Sequence, residues 1–416
     1  MRSTPLTAQD EAILRLEGAR LAGHTCKVIV LGPDAPSLVE LRERVAARLE
    51  RVPALRTRLE GEPGAMTWVS AEEFDPSAHV VEAGSAPLEP EAIRELVGQL
   101  FTRRLDRARP LWRMDAIPLT TGGRALAWRI HHTLADGTTA MRYARELLWD
   151  DSAERTTAAG SAARQPRADA HDERRRRAHM ARFFAREFGR ARSPFDGAVG
   201  QQREVAFARL PLSSLHDAAR RTSGATVNDA VVSAIGGGLR SWLESHHGRL
   251  GRVRVKVPVS LHRAEDDGGN ADSFFFVGVP LEHADPVRRL QAVHAATATR
   301  KAEHDAETMD RLLRDLRGVS PQLAGLCERI ERSARAFALN VSNVPGPHEP
   351  VAICGARVRS MHSIAEIAEH HAVRVAAVSL CDDLFLGFCA DPAIVHDVGS
   401  MAAATEHDAA QLIAAA

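Results

Sequence analysis

Two adjacent histidines followed at a fixed distance by an acid and a glycine, HHTLADG over residues 131–137, form a dense cluster of proton-moving side chains. A neutral imidazole titrates near pH 6.5, so at neutral pH it can take the proton of a hydroxyl as that oxygen attacks a carbonyl. One histidine suffices for this. The pair closes an apolar run, RALAWRI (124–130), whose pattern reads as a strand; neighbouring strand residues face opposite sides, so His131 and His132 diverge. His132 is the candidate general base. Asp136, on a turn that Gly137 permits, is expected to bond neighbouring donors and fix the loop so that His132 presents a ring nitrogen. Two other readings stay open: polar residues at a strand end with Asp136 as a helix cap, or a metal held by His131, His132 and Asp136. Adjacent histidines diverge, and no second ligand cluster at matching spacing appears, so no metal is expected.

The elements that must position this loop are legible as an alternation of strand and helix. CKVIVLG (26–32) is a β-rich run, and SLVELRERVAARLERV (37–52) has helical spacing at Leu38, Leu41, Val45 and Leu49. After the motif, TTAMRYARELLWD (138–150) reads as a helix capped by Thr138. The same alternation resumes later with a helix over 225–246, strands over 252–261, 274–280 and 373–380, and a helix after 282. Three glycines, Gly236 to Gly238, lie inside the first of these helices, where close packing is the expected reason. The fold class is therefore α/β, with an N-terminal domain over 1–150 and a C-terminal domain over 201–416. No clean internal repeat is present.

Between the two domains, residues 151–200 change character. AAGSAARQPRADA carries almost no bulky apolar side chain, which marks a linker. Its end, ERRRRAHMARFFAREFGRAR (173–192), has eight Arg against Glu173 and Glu187, net +6, with Met180, Phe184 and Phe188 at helical spacing. Such a basic amphipathic helix suits an anionic membrane surface, the phosphates of a cofactor-like substrate, or docking on a domain. Lys plus Arg equals Asp plus Glu at 54 each, so no global charge draws the chain to nucleic acid. Five cysteines without a CxxC pair, and an opening lacking a signal-peptide core, point to free thiols in the cytoplasm.

Six motifs in order resemble the bacterial wax ester synthase/acyl-CoA:diacylglycerol acyltransferases, within the condensation-domain and chloramphenicol-acetyltransferase-like superfamily. They are PLTAQDEAILRLE (5–17), PLW (110–112), HHTLADG, TVNDAVVSA (226–234), VPVSL followed by GGN (257–270), and SNVPGP (342–347). The resemblance implies two acetyltransferase-like α/β sandwich domains forming a pseudo-dimer, with a tunnel between them that crosses the active site and His132 as base. It implies acyl-CoA as co-substrate, a hydroxyl acceptor, no cofactor, and peripheral membrane contact; oligomeric state stays open. By the same resemblance Glu17 and His24 match an acid and a histidine near the first strand, with Asn228 and Asp229 at a helix start beside the acyl pocket. Asn270 follows two glycines on a ligand-facing loop. Ser342 or Asn343 is placed to polarise the thioester carbonyl.

One stretch departs from the family. Where members commonly read close to Gly-Leu-Asn-Ile-Thr, this chain has Ala372, Val373, Arg374, Val375 and Ala376, and AEIAEHHAVRV (365–375) is unusually charged. A strictly greasy acceptor tunnel does not follow from such residues. The expected activity is transfer of a fatty acyl group from CoA to a long-chain alcohol or diacylglycerol. The alternative is the same chemistry in specialised metabolism, from a CoA- or carrier-protein-bound donor to a polar alcohol or amine. A silent thioester-binding module is the third reading, and the intact histidine motif argues against it.

Overall fold

A computed structural model of the chain describes residues 3–62, 64–71, 73–84, 86–150, 193–251, 253–260, 272–302 and 337–416. They divide into two compact units. The first is drawn from Met1–Ala153, Val199–Ser213 and Asn343–Ala402, the second from Glu154–Ala198, Ser214–Ser342 and Ala403–Ala416. Asn270 and the basic segment 173–192 lie outside the described residues.

In the first unit the chain lays down β1 (Ser3–Pro5), β2 (His24–Leu31), β3 (Thr57–Glu60), β4 (Thr67–Ser70), β5 (Val80–Glu82), β6 (Trp112–Pro118) and β7 (Arg124–His131). β1, β4 and β3 make a small antiparallel sheet. β2, β7 and β6 run antiparallel, and β5 adds to β6 in parallel. Nearly every β2 and β7 residue is buried, which is why both read as continuous apolar runs. One face packs on the helices Leu38–Arg48 and Gly137–Leu147, whose Leu41, Val45, Ala140, Ala144 and Leu147 join Ile29, Leu126, Trp128 and Ile130 in one core. The first of these helices is started by a capping box, Ser37 with Glu40. Trp112, from the PLW triplet, is a core residue whose indole donates to the Leu55 carbonyl at 2.8 Å.

β8 (Glu204–Pro211) belongs to this unit as well. The chain then builds the second unit around the helix Val227–His247, the antiparallel pair β9 (Val253–Ser260) and β10 (Asp272–Val279), the helix Pro286–Ala302, and β11 (Leu339–Val344), which pairs with β9 in parallel. The long helix has a buried interior. A Cβ on Gly236 would stand 2.6 Å from Val279, and one on Gly237 would overlap Asp408, so both glycines permit close approach of neighbours. Asp408 itself pairs with Arg289, which also donates to the Ser233 and His283 carbonyls at 3.1 and 2.8 Å.

Past Ser342 the chain returns to the first unit. β12 (Ala352–Ile353) and β13 (Ala356–Ala365) extend its sheet, β13 lying antiparallel to β2 from Val358↔Leu31 to Ala365↔Thr25. β14 (Val373–Leu380) and β15 (Asp383–Ala390) pair with each other, and β15 pairs with β8, in antiparallel ladders of eight residues each. The two compact units alternate along the chain instead of changing over once at 151–200. The last third of the chain supplies neighbours for β2, so the first unit is discontinuous in sequence. No helix among the described residues is long and apolar enough to cross a membrane. The four described cysteines, Cys26, Cys354, Cys381 and Cys389, are free.

Candidate active site

β7 ends at His131, and the chain turns over residues 132–134 before the helix Gly137–Leu147 begins. Asp136 is its N-cap: Oδ1 accepts the Thr139 N–H at 2.7 Å, while Thr138, expected as the cap, sits one position inside the helix. The contact described for the acid is thus one that closes the helix start. Asp136→Ala is expected to cost about 1 kcal/mol of stability and Asp136→Asn a few tenths, because Asn caps about as well as Asp. Urea midpoints check this, and equal losses for both would show that the carboxylate charge matters beyond capping. Lys27 lies near this acid, buried, with its ammonium donating to Ser363 Oγ at 2.7 Å. Burial pulls that ammonium down to about 8, and the charge of Asp136 works the other way.

Gly137 has ordinary helical backbone, so its expected role in permitting a turn is not what the structure shows. A Cβ there would stand 2.8 Å from Val344 Cγ2, and the glycine serves close packing against the strand end after Asn343. Gly23 is the residue with left-handed backbone, φ +69°, and a Cβ on it would meet His131 Nε2 at 2.7 Å.

The two histidines have separate surroundings. His131 is buried, and its Nδ1 accepts the Thr133 N–H at 3.2 Å and lies 2.7 Å from Thr133 Oγ1. An acceptor at Nδ1 places the ring proton on Nε2, which lies 3.5 Å from Glu17 Oε2. Arg107 Nε donates to the same carboxylate oxygen at 3.1 Å. Burial works to raise the Glu17 carboxyl, but His131 and Arg107 outweigh it and hold it below the usual range. His24 faces His131 across the β2–β7 ladder, edge-on to Phe101 at 4.7 Å, and burial holds it neutral.

His132 keeps part of its surface accessible, while its Nδ1 is buried. Its N–H donates to the Gly23 carbonyl at 2.9 Å. Burial first, and then the charge of Arg374, pull the imidazole down to about 4; its own backbone carbonyl and Asp136 oppose the shift. His132 is therefore neutral at any physiological pH. Among the described residues no group of three His, Cys, Asp or Glu side chains is placed to hold a metal ion.

The first unit thus brings together Glu17, His24, His131, His132, Asp136 and Gly137. Asn343 is exposed at the end of β11, one residue before Val344. Asn228 and Ser342 belong to the second unit. Asn228 is not a cap: Thr226 takes that position, and Asp229 completes the capping box. Asp229 is buried and binds Thr226 N at 3.0 Å, His294 Nδ1 at 2.9 Å and Thr297 Oγ1 at 2.7 Å, which ties the two long helices of that unit together. Arg107, Lys27 and Arg374 were not singled out as site residues. Their signal was a charge beside or inside an apolar run, as in CKVIVL and VRVAAV.

By fold, the chain stands with the condensation domains and their acyl-transferring relatives. The first condensation domain of the CDA synthetase superposes with a TM-score of 0.60 at 17% identity, covering 99% of this chain and 96% of that one. More narrowly, the chain belongs to the wax ester synthase/diacylglycerol acyltransferase family. Residues 6–184 and 161–231 match the model of that family's catalytic domain, and residues 268–412 match the WS/DGAT C-terminal domain. The wax ester synthase/diacylglycerol acyltransferase from Marinobacter aquaeolei VT8 superposes with a TM-score of 0.75 at 22% identity, over 98% of each chain. The probable diacylglycerol O-acyltransferase tgs1 of Mycobacterium tuberculosis strain H37Rv is 28% identical over 93% of this chain and 90% of its own. O-acyltransferase WSD of Acinetobacter baylyi is 26% identical over 82% of this chain and 80% of its own.

Proposed function

We propose that the protein is an O-acyltransferase that moves a fatty acyl group from acyl-CoA to the hydroxyl of a long-chain alcohol or diacylglycerol, with His132 as general base. The observation that carries this reading is a part-accessible histidine held neutral, directly after a neighbour whose ring is fixed by Thr133 and faces Glu17. With Nδ1 buried, Nε2 is the nitrogen that meets substrate. It takes the hydroxyl proton as the oxygen bonds to the thioester carbon. The tetrahedral intermediate collapses, the carbon–sulfur bond breaks, and Nε2 returns the proton to the departing thiolate. No covalent acyl-enzyme and no cofactor enter. A base near 4 is a weak acceptor, so proton transfer runs with charge development at the attacked carbonyl, where the growing oxyanion favours imidazolium. Ser342 and Asn343 are the proposed donors to that oxyanion. Asn270, Asn228 and Gly137 are proposed to shape the acyl site, and Glu17 to orient His131.

The test is purified enzyme with palmitoyl-CoA and a panel of hexadecanol, diacylglycerol, polar alcohols and amines, followed by thiol release and product mass. Hexadecyl palmitate or triacylglycerol is the expected product; transfer only to polar alcohols or amines moves the reading to specialised metabolism. With the base near 4, kcat/KM is expected to hold between pH 7 and 5. A base at 6.5 would lose about 25-fold over that range, and such a loss would remove His132 from the role. Stability follows the same sign: the unfolded histidine binds a proton below about 6.5 and the folded one does not until about 4, so this contribution is present at neutral pH and lost as pH falls through that window.

A further inference from the structure

β14 is apolar except for Ser379 near its end and Arg374, which pairs with Cys389 on β15. The guanidinium donates from Nη1 to the Glu366 backbone carbonyl at 3.0 Å, and its Nε is buried with no hydrogen-bond partner. The carboxylate of Glu366 is already engaged. Arg203 Nε donates to Oε1 at 2.8 Å, Ile367 N to the same oxygen at 3.2 Å, and Ala22 N to Oε2 at 2.9 Å. Arg203 therefore takes the carboxylate directly, while Arg374 feels its charge and hydrogen-bonds only to the backbone carbonyl. A half-buried guanidinium whose Nε has no partner, and whose nearby carboxylate is bonded by another arginine, is incompletely compensated, a deficit that an anionic ligand would make good.

The same contacts lead to the base. Ala22 is bound by Glu366, and the next residue, Gly23, accepts the His132 N–H at 2.9 Å. The field of Arg374 is felt at the His132 ring, second only to burial. An anion that neutralises Arg374 would thus lie close to the reacting hydroxyl. The acyl chain of the donor is apolar, and the phosphates of CoA are held away from the thioester by the length of the pantetheine arm. Only the acceptor can bring a charge to this place.

We infer that Arg374 is a specificity-determining residue that receives an anionic oxygen group, carboxylate or phosphate, carried by the acyl acceptor beside the hydroxyl that His132 deprotonates. This rests on the acyltransferase reading and narrows its acceptor. It makes Arg374 the point at which this chain prefers a charged amphiphile to a neutral one.

The wild type, Arg374→Asn and Arg374→Lys are assayed with palmitoyl-CoA and four acceptors: 3-hydroxytetradecanoate against 1,3-tetradecanediol, and 1-oleoyl lysophosphatidate against 1-monooleoylglycerol. In the wild type kcat/KM is expected to favour the charged member of at least one pair, and which pair distinguishes carboxylate from phosphate. Arg374→Asn is expected to reduce that preference at least about tenfold, with Arg374→Lys retaining most of it. A wild type that favours the neutral members, or a ratio that Arg374→Asn does not move, overturns the proposal; equal loss for all four assigns Arg374 to the oxyanion instead. Thermal stabilisation without acyl-CoA supplies a readout independent of turnover. If no acceptor is acylated, the acyltransferase reading fails, and the proposal still stands or falls on whether the charged members stabilise the wild type more than the neutral ones and Arg374→Asn loses the difference.

Discussion

His132→Ala is expected to lower acyl transfer by roughly 100- to 10,000-fold while leaving the fold intact, because that is the range a positioned general base contributes. The bond that anchors this residue is made by the backbone, its N–H to the Gly23 carbonyl at 2.9 Å, and survives truncation of the side chain. Removal of the ring also removes an imidazole that is costly to protonate in place, so the melting temperature should move little. His131→Ala is the contrasting case. It deletes the acceptor for Thr133 and leaves Glu17 without one of its neighbours, in a buried site where unmet polar groups are expensive. That variant should melt earlier yet retain more turnover than His132→Ala. Thiol release from acyl-CoA, measured alongside melting, separates the two; small and equal rate losses would overturn the assignment of the base.

The strands that carry these histidines were legible because they are buried on both faces. β2, β7 and β14 are continuous apolar runs, and the structure ends them within two residues of where the pattern does. The cap was misplaced by two residues for a local reason. Asp136 and Thr138 both favour that position, and the turn over 132–134 leaves Asp136 at the helix start. At the helix Val227–His247 the cap is Thr226, which forms a reciprocal pair with Asp229. The partners of the interior charges were not legible at all. Lys27 meets Ser363 because β13 pairs with β2 in one particular register, and a shift of one residue would send the serine to the other face. The same long-range pairing decides that residues 343–402 complete the first unit, which no local pattern announces.

Asp115→Ala is expected to be the most destabilising of the single substitutions considered, at about 3–5 kcal/mol, since it strands a buried guanidinium. Asp115 and Arg129 are almost fully enclosed, at 1% and 3% exposure. Arg129 Nη2 and Nε donate to Asp115 Oδ2 at 2.8 and 3.2 Å, and Nη1 donates to the Leu100 and Arg103 carbonyls at 2.7 and 2.8 Å. The pair thus joins β6 and β7 to the end of the helix Ile93–Phe101, two residues before His131. Asp115→Leu with Arg129→Met should recover much of the loss, because an apolar pair avoids the desolvation of two charges. Recovery should stop short of wild type, as the two carbonyls lose their donor in the double variant. Urea unfolding followed by tryptophan fluorescence reports on this unit through Trp112 and Trp128, both buried in its core. If Asp115→Ala unfolds at the wild-type midpoint, the pair does not hold the sheet. If it unfolds early while the double variant does not, the guanidinium needs Asp115 chiefly because it is buried, and the strand end that presents the histidines is held by neutralisation of that charge.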